Sequence, residues 1–363
     1  MRRTRALIVG GGPAGAAAAI ALARAGAAPE LIERSAGPRD VVCGGFLGWD
    51  AIAALGRLGL DPAALGARPI SRLRLIARER VVEASLPARA AGLSRRALDE
   101  ALLTAAAAAG TSVVRGRSVR TAEGRRLRLD DGEEMEAEAL FLATGKHELR
   151  GLARPIEGRR EAPAAGLRCA LPATPALEAA LADCIELHLF DGGYAGILLQ
   201  EDGKANLCLS VSRQRLAAAG SPAALFDEIA REAPRLAERA GGGPGAAWEA
   251  VAGVPYGWRA TETEAGLFRI GDQSAVIASL AGDGIAIALS SGLAASEAYL
   301  AGGPGAAPAY QRAFARRSRR PVAVAERLRA AAERGGPRLA LMRLLGGLPM
   351  LLPIAARLTR IGG

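Results

Sequence analysis

Ala6-Leu-Ile-Val-Gly-Gly-Gly-Pro-Ala-Gly15, followed by an alanine-rich run and then Leu31-Ile32-Glu33-Arg34, decides the fold. An apolar strand runs into Gly10, Gly12 and Gly15. These open a helix expected from about Ala14 to Ala25, and a second strand then ends on a carboxylate. That order reads as a βαβ unit that binds an adenine dinucleotide. Gly10 allows the tight turn, Gly12 lets backbone approach a pyrophosphate, and Gly15 lets the helix pack closely on the strand. With Pro13 and Ala14 in the first turn, the phosphates would sit on the helix N-terminus. Glu33 stands 18 residues past Gly15, where a carboxylate accepts hydrogen bonds from a ribose diol, with Arg34 beside it.

The chain has 363 residues, half of them hydrophobic, enough for a large α/β domain or two sub-domains. Its net charge of +10 is carried almost wholly by arginine, since lysine occurs only at Lys146 and Lys204. Such a balance suits anionic cofactors or acidic lipid surfaces. It does not argue for nucleic acid, because no basic block interleaved with aromatics precedes the run Arg316 to Arg320. Cys43, Cys169, Cys184 and Cys208 show neither CxxC nor histidine pairing, so they read as reduced thiols and no metal site is expected. The basic start before an apolar run imitates a signal peptide, but the glycine turn uses those residues fully. No transmembrane span is expected, and the location reads as cytoplasmic.

Further along, Val41 to Phe46 sets Cys43 and Gly44 beside an aromatic, as if backbone passes close to something flat. A helix is expected from Trp49 to Leu58, a hairpin over Ile70–Ile76 and Arg80–Leu86, and a helix capped by Ser94 over Arg95–Ala108. Short strands then lead to a buried strand, Ala137–Ala143, that enters Thr144-Gly145-Lys146. From about Ala153 to Trp258 strands near 165–171, 185–190, 195–200 and 205–211 read as an antiparallel sheet, interrupted by one helix over Pro222–Glu238. Leu267–Ile270 then ends on Gly271-Asp272, and Ala281-Gly282-Asp283-Gly284 opens a helix from Ile285 to Tyr299. The remainder reads as helical. The expected plan is an α/β fold: a GxGxxG-type Rossmann domain over 1–152 and 259–302, an inserted antiparallel-sheet substrate domain over 153–258, and a helical C-terminal segment over 303–363.

Four features coincide in order: GxGxxG with Glu33, Ser94-Arg95-Arg96-Ala97-Leu98-Asp99, Ala143-Thr144-Gly145, and Gly271-Asp272 before a glycine-opened helix. Together they resemble the FAD-dependent oxidoreductases that group the para-hydroxybenzoate-hydroxylase fold with the geranylgeranyl reductases. Val42-Cys43-Gly44-Gly45-Phe46 is similar to the Cys-Gly-Gly segment of the reductase branch and to flavoproteins of secondary metabolism encoded beside polyketide synthases. The resemblance implies FAD as cofactor. It places Asp272 on the ribityl chain, Arg95 near the pyrophosphate or adenosine, and the amides of Gly282, Gly284 and Ile285 against the flavin. The hydroxylase branch carries Asp-Gly where this chain has Thr144-Gly145, and no second GxGxxG marks a nicotinamide domain. NAD(P)H would therefore visit only transiently.

A flavin carries the reactive atoms itself, so the absence of a Ser/His/Asp or paired-carboxylate constellation is expected. His147 and His188 read as structural. Trp49, Tyr194, Tyr256 and Trp258 are expected to line the substrate side, and Cys43 is the one catalytic candidate. The leading expectation is a monooxygenase that hydroxylates a phenolic or polyketide-derived ring through a C4a-hydroperoxyflavin. The alternative is a reductase of carbon–carbon double bonds acting on a polyprenyl-like molecule. A third, from another class, is a non-catalytic flavin-binding protein that docks on a membrane or partner through 338–361, where Leu, Met and Ile alternate with Arg; the Gly and Pro breaks in that segment favour its packing over the substrate tunnel instead.

Overall fold

The computed structural model describes residues 2–155, 164–241 and 247–362. Strand β1 (Arg2–Val9) buries Ala6–Val9. Helix α1 (Pro13–Arg24) follows, with Pro13 in its first turn, where a missing N–H costs nothing, and β2 (Glu30–Glu33) pairs parallel to β1. Gly10 has φ +107°, and a Cβ there would overlap the Ala143 carbonyl. A Cβ on Gly15 would overlap the Gly10 carbonyl, so the turn closes only with glycine at both places.

The chain continues through β3 (Phe46–Leu47), α2 (Trp49–Arg57), the hairpin β4 (Arg68–Ala77) and β5 (Arg80–Gly92), and α3 (Arg95–Ala108). Ser94 Oγ accepts the Ala97 N–H at 3.0 Å and caps α3, as its sequence requires. Then come β6 (Ser112–Arg115), β7 (Val119–Glu123), β8 (Arg126–Leu129) and β9 (Glu134–Leu142). The next stretch holds β10 (Ala164–Pro172), α4 (Pro175–Leu181), β11 (Cys184–Phe190), β12 (Gly193–Gln200), β13 (Lys204–Ser212), α5 (Arg213–Ala219), α6 (Pro222–Glu232), α7 (Pro234–Arg239) and β14 (Glu249–Val254). The helix expected over 222–238 is therefore two, broken where Pro234 starts a new first turn. Last come β15 (Leu267–Arg269), α8 (Gly284–Gly302), α9 (Ala307–Ala332), α10 (Gly335–Gly347) and α11 (Leu351–Leu358).

Two sheets result. The first runs β6-β2-β1-β9-β8-β7, with β15 also on β9, and β6, β2, β1, β9 and β15 are parallel. Helices α1, α3 and α8 cover one face of it. Gly292 of α8 lies so close to the Ala14 carbonyl that no side chain fits between them. The second sheet runs β14-β10-β13-β12-β11-β4-β5-β3. It therefore draws three strands from residues 46–92, inside the segment expected to be cofactor domain. The join is β4 lying parallel to β11. One face of this sheet, including Ile197, Leu207 and Leu209, packs with Leu225, Phe226 and Ile229 of α6 and Leu236 of α7. The other face is left for the site.

The helical run 284–332 has the length and apolarity of a membrane span by composition, which the sequence reading did not anticipate. In the fold α8 spends that apolarity inside: Ile285, Ile287 and Leu289 belong to the main core.

Candidate functional site

One continuous cavity of about 870 Å³ runs from the glycine turn to the C-terminal helices, within the size range of ligand pockets. At one end it is lined by Gly10, Gly12, Pro13, Ala14, Glu33 and Arg34. Glu33 is oriented by backbone: its carboxylate accepts Gly11 N–H at 2.7 Å and Ser35 N–H at 2.8 Å. Gly15 sits behind the turn and does not line the cavity, consistent with its packing role. The N-terminus of α1 has no side-chain cap and no acidic residue in its first turn. Its orphan N–H groups thus remain for an anion.

Arg95 lies across from that turn, where a Cβ on Gly12 would come within 3.2 Å of its guanidinium. It is held by a two-point ion pair to Asp99, at 2.8 and 2.7 Å. Burial works to lower the Arg95 pKa, but Asp99 outweighs it and the guanidinium stays firmly charged. Arg34 is exposed and bonds His147 Nε2 at 2.7 Å.

The middle of the cavity is built by three loops from distant parts of the chain. Cys43 and Gly44 come from the loop before β3. Asn206 Nδ2 of β13 donates to the Cys43 carbonyl at 3.0 Å, and Lys146 Nζ donates to the Val42 carbonyl at 3.3 Å. Thr144 and Gly145 follow β9, and Gly271 and Asp272 follow β15. Gln273 Nε2 donates to the carbonyls of Gly145 and His147, at 2.9 and 3.0 Å, and so locks the second loop to the third. The Asp272 carboxylate faces Lys146 Nζ at 3.8 Å. Burial lowers the Lys146 pKa, yet Asp272 and Cys43 together hold it above the ordinary lysine value.

Gly282, Gly284 and Ile285 line the same region. Asp283, the residue before α8, does not cap that helix with its side chain. It is buried against Arg360 Nη1 at 2.9 Å and accepts Ile361 N–H at 2.8 Å. Burial raises its pKa to about 6 against the pull of Arg360. The N–H groups at the start of α8 therefore also point, uncapped, at the cavity, where a charge developing on a bound ring would be stabilised. Two uncapped helix starts and two carboxylates, Glu33 and Asp272, spaced along one cleft fit a long dinucleotide.

Residues 3–151 match the family model of the FAD binding domain. That segment is an FAD-binding domain. The flavoprotein is 29% identical over 323 aligned positions to the menaquinone reductase of Mycolicibacterium smegmatis, covering 83% of this chain and 77% of that one. Similar solved structures include PqsL of P. aeruginosa in complex with 2-aminobenzoylacetate, at TM-score 0.73 and 17% identity over 92% of this chain and 97% of that one. A geranylgeranyl bacteriochlorophyll reductase-like protein of Thermoplasma acidophilum superposes at TM-score 0.74 and 19% identity over 93% and 90%. The flavin-dependent brominase Bmp2 does so at TM-score 0.75 and 18% identity over 95% and 94%. At these identities the solved structures share the fold. In fold and cofactor the chain is an FAD-dependent oxidoreductase.

The end of the cavity away from the glycine turn is aliphatic, lined by Leu73, Leu75, Ile185, Leu187 and Leu189 from the second sheet and by Leu341, Leu345 and Leu352 from α10 and α11. Alternate residues of β4 and β11 face it, as the period of a strand dictates. Of the four aromatics expected on the substrate side, Tyr194 and Tyr256 line the cavity and Trp49 and Trp258 stand outside it. The Trp49 ring stacks on the Arg360 guanidinium at 4.4 Å, and Trp258 lies under Arg154 at 5.6 Å. Both indoles are used to seat cations. His188 is buried on β11, with Nε2 at 3.1 Å from Glu186, on the strand face away from Leu187 and Leu189.

Sequence reasoning missed Ser279 and Ser210. Ser279 Oγ bonds Tyr256 OH at 2.6 Å and also bonds Tyr194 OH, and Ser210 Oγ lies 3.4 Å from Tyr256 OH. Burial raises the Tyr256 pKa and pushes Tyr194 well above its ordinary value. Both phenols therefore stay protonated at neutral pH. The one signal available was the position of Ser279, three residues before Gly282 in the loop that opens α8.

Proposed function

We propose that this flavoprotein reduces a carbon–carbon double bond in a long, largely apolar substrate. The observation that carries this reading is the hydroxyl chain Tyr194–Ser279–Tyr256–Ser210, set in an otherwise aliphatic cavity beside the loop that leads into α8. When bound and reduced, FAD supplies two electrons with one proton to one carbon of the double bond, and the second proton has to come from the protein. Tyr256 is the donor. Its hydroxyl lines the cavity, and Ser279 and Tyr194 stand behind it to return the proton. Leu73, Leu75, Ile185 and Leu187 hold the apolar chain and exclude water. Lys146, held charged by Asp272 and Cys43, balances negative charge near the bound ring.

The mycobacterial relative is named a menaquinone reductase, which supports a reductase with a long, largely apolar substrate. Hydroxylation of a phenolic or polyketide-derived ring, first among the sequence expectations, gives Tyr256 no proton to deliver to carbon. Tyr256→Phe removes the donor and little else. Turnover of a prenylated quinone should fall by about 100-fold or more, with FAD content unchanged. Equal rates in the variant and the wild type would overturn the reading.

A further inference from the structure

The geometry points to the outer face of α10–α11 as a docking surface for an anionic lipid bilayer, from which apolar substrate passes directly into the cavity. Large apolar side chains exposed elsewhere are few and scattered. On this segment they cluster: Leu339 is 40% exposed, Leu344 51%, Leu348 47%, Met350 66% and Ile354 48%. Met350 and Ile354 are one turn apart, and Leu348 and Met350 flank Pro349 at the tip between the helices. The pair is apolar enough to pass for a membrane span by length and composition, but it is bent by 118°. A bent hairpin cannot cross a bilayer as one rod. It can lie in the interface with its outer face buried.

Charge selects the occupant. From Gly335 to the last residue the sequence contains four arginines and no acid. Arg338 and Arg360 are buried against Asp191 and Asp283. Arg343 and Arg357 are exposed and have no ion-pair partner among the described residues. Arg343 adjoins Leu344, and Arg357 follows Ile354 by three residues. Apolar anchors ringed by unpaired cations match an anionic headgroup layer. A second copy of this chain, itself strongly basic, would bring like charge to the same face.

The inner faces of these helices carry Leu341, Leu345 and Leu352, which line the cavity. The wall between lipid and cavity is thus one helix thick. Only the substrate transfer rests on the function proposed above, while docking itself needs no turnover.

The test is flotation of the FAD-loaded full chain with vesicles of phosphatidylcholine alone or with phosphatidylglycerol added, at low and high salt. The wild type should float with the anionic vesicles and be released by salt. The triple change Leu344→Ser, Met350→Ser and Ile354→Ser should weaken binding roughly tenfold or more, the factor that 1.4 kcal/mol of lost burial represents. The pair Arg343→Gln and Arg357→Gln, which keeps the exposed apolar side chains, should abolish the preference for anionic lipid. Flavin content should be unchanged in both. A wild type that stays with neither vesicle, or variants that bind as well as wild type, overturns the proposal. So does a dimer that both sets of changes dissolve without any vesicle binding. A protein that floats but reduces no prenylated quinone refutes the function and leaves the docking. One that reduces detergent-dispersed quinone but does not float does the reverse.

Discussion

Glu33 joins the glycine turn to the second strand by accepting the N–H groups of Gly11 and Ser35, and those bonds hold its carboxylate at the glycine-turn end of the cleft, where the proposed FAD would set its ribose. A ribose hydroxyl bonded to it is a charge-assisted contact worth about 1.5 to 3 kcal/mol. Glu33→Ala should therefore raise the dissociation constant for FAD by roughly tenfold or more, read by dialysis and flavin absorbance. Equal retention in the variant and the wild type would contradict the assignment. The local geometry of such residues was legible in the sequence: Gly10 closes the turn at positive φ, Glu33 ends the second strand and Ser94 caps α3. Ser279, Ser210 and Lys146 were not legible, since each acquires its role from a partner more than 40 residues away. Trp49 misled because an aromatic near a cofactor loop reads as a pocket wall, and only the fold shows Arg360 stacked on it.

At the scale of elements, β11 is the pivot of the second sheet, because it joins β4 on one side and β12 on the other. Its buried Glu186 binds Arg74 of β4, Arg239 of α7 and His188. Burial alone would raise that carboxyl, but hydrogen bonds from His188 and Arg239 pull its pKa down to about 2. A depressed carboxyl contributes stability above its unfolded value near 4.5 and loses it as pH falls towards 2. Two to three pH units correspond to about 3 kcal/mol. Urea melts at pH 7 should show Glu186→Gln destabilised by about that order, with the gap to wild type narrowing towards pH 3. Parallel losses at both pH values would show that the charge is not what joins the strands. The strands themselves were legible from alternation and turn residues. Their membership was not. The hairpin β4–β5 looks the same from sequence whichever sheet it joins, because parallel pairing across more than 100 residues leaves no local mark.

At the scale of the whole molecule, the α1–α8 contact brings the first glycine turn against the loop after β15. Gly292 lies on Ala14, and Gly271 comes so near that a Cβ there would be 3.0 Å from the Ala14 side chain. Gly292→Leu should force the helices apart, release FAD and lower the unfolding midpoint by several degrees. Retained flavin with an unchanged melt would show that the two ends of the cradle are held otherwise. The glycine turn, the loop after β9 and the loops before α8, each read from the sequence as a motif, line one cavity. The C-terminal segment was expected over a substrate tunnel, but which of its residues wall that apolar chamber was not legible, because apolar runs do not tell which side of a helix faces a hole.

That chamber carries the central claim, an FAD-dependent reduction of a double bond with Tyr256 as proton donor. Its most direct test is single turnover of the chemically reduced protein with a prenylated quinone under argon in deuterated water, with the product read by mass spectrometry. The account predicts flavin reoxidation without oxygen and a product that has gained two hydrogens on adjacent carbons, both of them solvent deuterium, since the N–H of a reduced flavin and the Tyr256 O–H both exchange with water. A product formed only in air and carrying one added oxygen would contradict it.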